Sequence, residues 1–285
     1  MSKRSNLKID PTASALRRFG AFALPAALVA GIALSGPAAA DPPPVRLKVA
    51  FGETYAVSGM TFSWTTIRVK VQNIDYQKQV TMHYRAPGAS TWQDHPLALI
   101  GHYGNYDVFG GDGSTPVAEE FAIRYNVPGQ EFWDSNDATD YQVATFQGAV
   151  GGNVMLSEAR AVVYVETGGG YAIPVSRFQG QIYVQDSSYH KIVGVHWSRD
   201  GGATWQSTNA TYGGKVTAVA GNVPEVEIWN FQTPTLTIED SAVPYQFAVF
   251  YEQRNDDNNA TVATHWDNNF TQDYFLAKIN DATIR

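Results

Sequence analysis

The sequence predicts an all-β protein built of two tandem modules. Three features carry that expectation: stretches that alternate apolar and polar residues, Gly, Pro, Asn and Asp placed between them, and a long internal repeat. Ile67 to Val71, Gln79 to Tyr84 and Phe121 to Val127 all alternate with the period of a strand facing a core on one side. No stretch beyond residue 44 keeps a helical period over several turns. With 25 Gly and 14 Pro to turn the chain, short strands in a sandwich or barrel are expected.

The repeat sets the architecture. Val71 to Lys78, with Tyr76 near its end, is answered by Val184 to Lys191 with Tyr189, at an offset of 113. Gly88-Ala89-Ser90-Thr91-Trp92-Gln93 is answered by Gly201-Gly202-Ala203-Thr204-Trp205-Gln206 at the same offset. Phe121 to Tyr125 is answered by Phe247 to Tyr251. Trp133-Asp134 with Tyr141 is answered by Trp266-Asp267 with Tyr274. Order is kept while loops lengthen, which is how duplicated modules diverge. Module 1 is expected over 45–147 and module 2 over 158–285, with the glycine-rich stretch Gly148 to Asn153 as a hinge.

Residues 1–40 read as a secretory signal peptide. Lys3, Arg4, Lys8, Arg17 and Arg18 precede an apolar run from Phe19 to Leu34, and Ala38-Ala39-Ala40 offers a small-residue cleavage site before Asp41. Pro25 and Gly31 interrupt that run, which makes a membrane anchor the poorer reading. Arg17-Arg18 leaves Sec and twin-arginine export both open. The expected location is secreted or periplasmic, with no membrane partner once the signal is cleaved. The whole chain carries −7, and losing the basic leader makes it more acidic still, which argues against nucleic acid as a partner. There is no cysteine, so disulfides, thiolate metal sites and a cysteine nucleophile are excluded.

Aromatic residues are 13% of the chain, more than a core needs, so some rings are expected to face a ligand. Trp92 and Trp205 follow matching turns, while Trp133 and Trp266 precede loops rich in Asp and Asn: Asp134-Ser135-Asn136-Asp137 and Asp267-Asn268-Asn269. A flat ring beside short amides and carboxylates suits a sugar, whose C–H face stacks while its hydroxyls hydrogen-bond. The competing reading is that these tryptophans cap the sandwich core. Tyr76-Gln77-Lys78 and Tyr189-His190-Lys191 lie on short turns between strands, either as a second sugar contact or as ordinary hairpins with a solvated Lys.

Taken together, these motifs resemble carbohydrate-binding module family 21, which includes the starch-binding domain of fungal glucoamylases and the glycogen-targeting domain of phosphatase regulatory subunits. The resemblance runs from Val71-Gln72-Asn73 through Tyr76, Lys78 and Trp92 to Glu120-Phe121-Ala122-Ile123-Arg124-Tyr125, Phe132-Trp133-Asp134, Asn136 and Tyr141. A diverged copy retains Tyr189, Lys191, Trp205, Glu227-Ile228-Trp229, Trp266 to Asn269 and Tyr274. It implies immunoglobulin-like β-sandwiches that bind α-1,4-glucan (starch, glycogen or maltooligosaccharide) at two sites each, without catalysis and without cofactor or metal. One site would pair Trp92 with Trp133, and Trp205 with Trp266, with Asn136, Asn268 and Asn269 holding hydroxyls. The other would use Tyr76, Asn73 and Lys78, and Tyr189 and Lys191, with Glu227 at an acidic position of the family. The chain departs from the family where a strand aromatic is replaced by Ala122 and Ala248, and where Asn73 becomes Asp186. The resemblance also favours a curling α-linked chain, which fits two rings at an angle, over a flat cellulose face. Each site should bind weakly, on the order of 10–100 μM, and linked modules gain by avidity.

Three rival readings stand beside this one. A glycosidase needs two carboxylates across a cleft, and a sandwich repeat leaves little room for one. The Gly-x-Ser-x-Gly elbow is absent, and the six histidines show no trusted ligand spacing. A phosphatase adaptor is hinted at by Lys48-Val49-Ala50-Phe51, a four-residue docking pattern that also reads as an opening strand. Asn255 to Asn259 is oxygen-rich but lacks the ligand spacing and glycine of an EF-hand loop. A separate amylolytic enzyme is the expected working partner.

Overall fold

The computed structural model describes residues 43–143, 148–168, 170–216, 225–237, 243–255, 257–270, 274–279 and 283–285. The signal-peptide reading of 1–40 lies outside these residues. In the first half the strands are β1 (Val45–Val57), β2 (Met60–Gln72), β3 (Gln79–Arg85), β4 (Trp92–Pro96), β5 (Ala98–Tyr103), β6 (Tyr106–Gly111), β7 (Glu120–Val127), β8 (Gln130–Asp134), β9 (Tyr141–Gln142) and β10 (Gly148–Ala149). In the second half they are β11 (Val154–Gly168), β12 (Tyr171–Gln185), β13 (Lys191–Ser198), β14 (Gln206–Asn209), β15 (Thr211–Lys215), β16 (Val226–Gln232), β17 (Leu236–Thr237), β18 (Tyr245–Arg254), β19 (Thr261–Asp267) and β20 (Phe275–Ala277).

The alternating stretches become these strands because each can bury one face. Along β7, Phe121, Ile123, Tyr125 and Val127 point into the core, while Arg124 and Asn126 point out. Among the described residues four sheets form, and each draws its strands from one half alone. β10-β1-β2-β6-β5 faces β4-β3-β7-β8 in the first half, with β9 added to β7. β11-β12-β16-β15 faces β14-β13-β18-β19 in the second, with β17 on β12 and β20 on β18. The strands pair antiparallel, so each half is a two-sheet sandwich of the immunoglobulin-like kind. Leu47, Ile67, Val69, Met82, Phe121 and Ile123 fill the first core. Leu156, Phe178, Ile182, Trp197, Phe247 and Phe275 fill the second.

The halves are joined by packing, not by a loose tether. Val49, Phe51 and Val150 of the first half bury against Met155, Val216 and Val226 of the second. Tyr106 and Val108, although on β6, belong to the second core. The stretch Gly148 to Asn153, read as a hinge, is built into this seam. Gly148 and Ala149 pair with β1, and a Cβ on Gly151 would collide with the Leu47 carbonyl oxygen. Gly151 is there for close approach, while Gly152 turns the chain at a φ of 60°. Lys48, Val49, Ala50 and Phe51 are buried in β1, which removes them as an accessible docking peptide.

Candidate functional site

The β4-β3-β7-β8 sheet turns its outer face to solvent and gathers an aromatic cluster there. Trp92 opens β4 opposite Arg85, and Trp133 lies on β8 opposite Arg124. Neither caps the core; the indoles are 38% and 39% exposed. Between them stands His83 of β3. Its ring stacks on Trp92 with centroids 4.9 Å apart and planes 6° apart, and meets Trp133 edge-on at 5.5 Å and 84°. The two indole planes are therefore steeply inclined to one another. Asp94 fixes the histidine: its carboxylate lies 2.6 Å from His83 Nδ1, and its other oxygen accepts from Arg124 at 2.6 Å. Arg124 in turn lies 5.6 Å above the Trp133 ring. The His83 bond, opposed by burial and helped by Arg124, holds the Asp94 carboxyl below its usual range.

The second half repeats this arrangement. His196 stacks on Trp205 at 5.0 Å and 9°, and meets Trp266 edge-on at 6.2 Å and 78°. Ser207 takes the place of Asp94, 2.9 Å from His196 Nδ1. Phe250 takes the place of Arg124 and packs on Trp266 at 5.4 Å. Tyr274 packs against Trp205 at 5.6 Å. Ala122 and Ala248 lie directly across from His83 and His196 in the register. The imidazole thus holds the middle of the platform, across from the position where the resemblance would place a strand aromatic.

The polar loops beside the tryptophans differ between halves. Asn136 is exposed in a left-handed conformation, and its Nδ2 donates to Thr139 Oγ1 and the Asp140 carbonyl, closing the loop on itself. Asn268 is half-buried. Asn269 is buried, and its Nδ2 donates to Asn105 Oδ1 at 3.1 Å and to the Tyr274 carbonyl at 3.4 Å. Asn269 therefore faces the first half and not the solvent beside Trp266.

At the tyrosine turns, the rings are exposed and the lysines are held by carboxylates. Tyr76 is 98% exposed and Tyr189 85%. Lys78 is buried and donates to Asn73 Oδ1 and Asp107 Oδ2. Lys191 is buried between Asp186 and Glu227, at 2.9 and 3.1 Å. Burial opposes ionisation of Asp186, but Lys215 and Lys191 hold it down to about 2. Asn73, Lys78, Lys191 and Glu227 thus brace the turns that present Tyr76 and Tyr189. In the oxygen-rich loop, Asn255 Oδ1 accepts from the backbone of Asp257 and Asn258, and Asp256 lies outside the described residues.

The histidines at the centre of each platform are what sequence reasoning misses. His83 and His196 differ by 113, the offset of the repeat itself, so the signal is present in the chain. Metal-ligand spacing does not point to them, and each stacks on a tryptophan.

Each half is a two-sheet sandwich presenting paired, inclined tryptophans on one outer sheet. The sequence model of the Carbohydrate/starch-binding module (family 21) matches residues 63–144 and again 165–277, well over half of the chain, and the chain belongs to that family. Glucoamylase 1 of Rhizopus oryzae is 32% identical over 99 residues, which are 33% of this chain and 16% of that protein. Protein phosphatase 1 regulatory subunit 3C of Xenopus tropicalis is 32% identical over 97 residues, which are 32% of this chain and 42% of that protein. The chain spans less than half the length of either relative.

Proposed function

We propose that the protein binds α-1,4-glucan without catalysis, through tryptophan stacking on both halves, and that it works outside the cytoplasm beside a separate amylolytic enzyme. Membership in a starch-binding family supports the substrate class. The single observation that favours an α-linked chain is the steep angle between Trp92 and Trp133, repeated between Trp205 and Trp266. A chain that curls can lay successive rings on two inclined planes, whereas a flat β-linked face needs coplanar ones. The exposed Tyr76 and Tyr189 add a second contact on each half. The adaptor reading loses its docking peptide to burial in β1.

The test is retention of the purified protein on insoluble starch, with cellulose as control and soluble β-cyclodextrin as competitor. Retention on starch alone, released by cyclodextrin, is the expected result. Equal retention on cellulose, or none on starch, overturns the reading.

A further inference from the structure

Between the two halves lies a cleft of about 520 Å³, within the size range of small-ligand sites. Tyr103 and Asn105 line it from the first half, and Asn269, Tyr274 and Lys278 from the second. Neither half alone has this cleft. Its chemistry is mixed in the manner of a hexose site: phenol rings to stack on, amides and an amine to meet hydroxyls. Within it, Asn269 is only 5% exposed and already donates to Asn105, yet its Oδ1 has no hydrogen-bond partner among the described residues.

Contacts lead from the cleft to the Trp205 platform of the second half and to the Tyr76 turn of the first. Tyr274 packs on Trp205 of the second half. Asn105 accepts, through its carbonyl, the backbone N–H of Asn73 at 2.8 Å, and Asn73 opens the turn that presents Tyr76. We infer that this inter-half cleft is an additional α-glucan subsite, linking the Tyr76 turn of the first half to the Trp205 platform of the second along one polysaccharide chain. The inference rests on the glucan reading above and adds a site that only the joined halves can make. Tyr103 and Lys278 line the cleft from different halves, so a chain threading it touches both.

Calorimetric titration with maltotriose and maltoheptaose separates this from the parent reading. The longer ligand is expected to bind about tenfold tighter, the worth of one added stack. Tyr103→Ala and Lys278→Ala should each remove most of that gain while leaving maltotriose affinity unchanged. Lys278 is exposed, so if Tyr103→Ala lowers the melting temperature, Lys278→Ala decides. Equal affinities for the two ligands, or a gain untouched by Lys278→Ala, overturns the cleft subsite and leaves the glucan reading standing. Binding of neither oligosaccharide overturns both.

Discussion

Lys70 Nζ of the first half lies 2.6 Å from Asp267 Oδ1 of the second, with both side chains 1% exposed. The rings of Phe270, Phe275 and Tyr106 surround the ammonium at 4.8, 4.7 and 5.6 Å. Asp267 is the repeat counterpart of Asp134, and both accept a backbone N–H from the first strand of their half, from Leu156 and Leu47. Their remaining partners differ. Asp134 takes the Tyr141 hydroxyl, a neutral donor, and burial raises its pKa. Burial acts on Asp267 in the same sense and is the largest single effect, but the Lys70 charge and hydrogen bond together with the Leu156 N–H lower the value. The loop after Trp266 is thus braced by the other half of the molecule.

Lys70→Met should therefore be strongly destabilising. It leaves the Asp267 carboxylate buried with backbone donors only, a loss of about 3–5 kcal/mol. In a unit of this size the melting temperature falls by about 2–4 °C per kcal/mol. The double variant Lys70→Met/Asp267→Leu should recover much of the loss in scanning calorimetry. No recovery would mean that the pair is not what holds the seam.

Trp133→Ala should weaken glucan binding tenfold or more, about 1.4 kcal/mol, with little change in melting temperature. Trp133 is half-exposed and its Nε1 donates to the nearby Glu131 on the same strand, so the fold does not depend on it. Affinity electrophoresis in starch-containing gels reads the effect. An unfolded variant would place the ring in the core after all.

Much of this architecture is legible in the sequence, and the residues say why. Local alternation in Phe121 to Val127 and Gln79 to Tyr84 predicts strands because one-sided burial imposes that period. The 113-residue offset pairs Trp92 with Trp205 and Tyr76 with Tyr189 by residue number alone. What escapes is non-local. Lys70 and Asp267 are 197 residues apart, and nothing in the chain around either points to the other. Gly151 looks like flexibility in one dimension and is close packing in three. Lys78 and Lys191 look solvated on a turn, yet buried carboxylates capture them.

Tyr76→Ala and Lys78→Met should separate ligand contact from support. Tyr76 is almost wholly exposed, so its loss should leave the melting temperature unchanged and lower retention on starch. Lys78→Met leaves Asp107 buried with His102 beside it, and should cost stability of the order of 3–5 kcal/mol. Thermal scans and starch sedimentation of both variants make the comparison. A stability loss in Tyr76→Ala would contradict it.

Lys48 supplies the pH dependence. It is buried in β1, donates to the Ser157 carbonyl at 3.1 Å, and lies near Arg68, Glu158 and Arg285. Burial, with the Lys70 charge adding to it and Asp267 opposing, brings its pKa from 10.5 down to about 7. Unfolding restores the ordinary value, so between about pH 7 and pH 10.5 the unfolded chain binds more protons than the folded one. This group's contribution to stability therefore rises with pH across that window and is flat below it, where both states are protonated. Lys48→Met keeps the shape of the side chain and removes the buried amine. Its melting temperature at pH 7 should exceed that of the parent by a few degrees, about 2–4 °C for each kcal/mol relieved. The difference should shrink steadily toward pH 10. A difference that stays constant from pH 7 to pH 10 would show that Lys48 keeps its proton in the folded protein throughout.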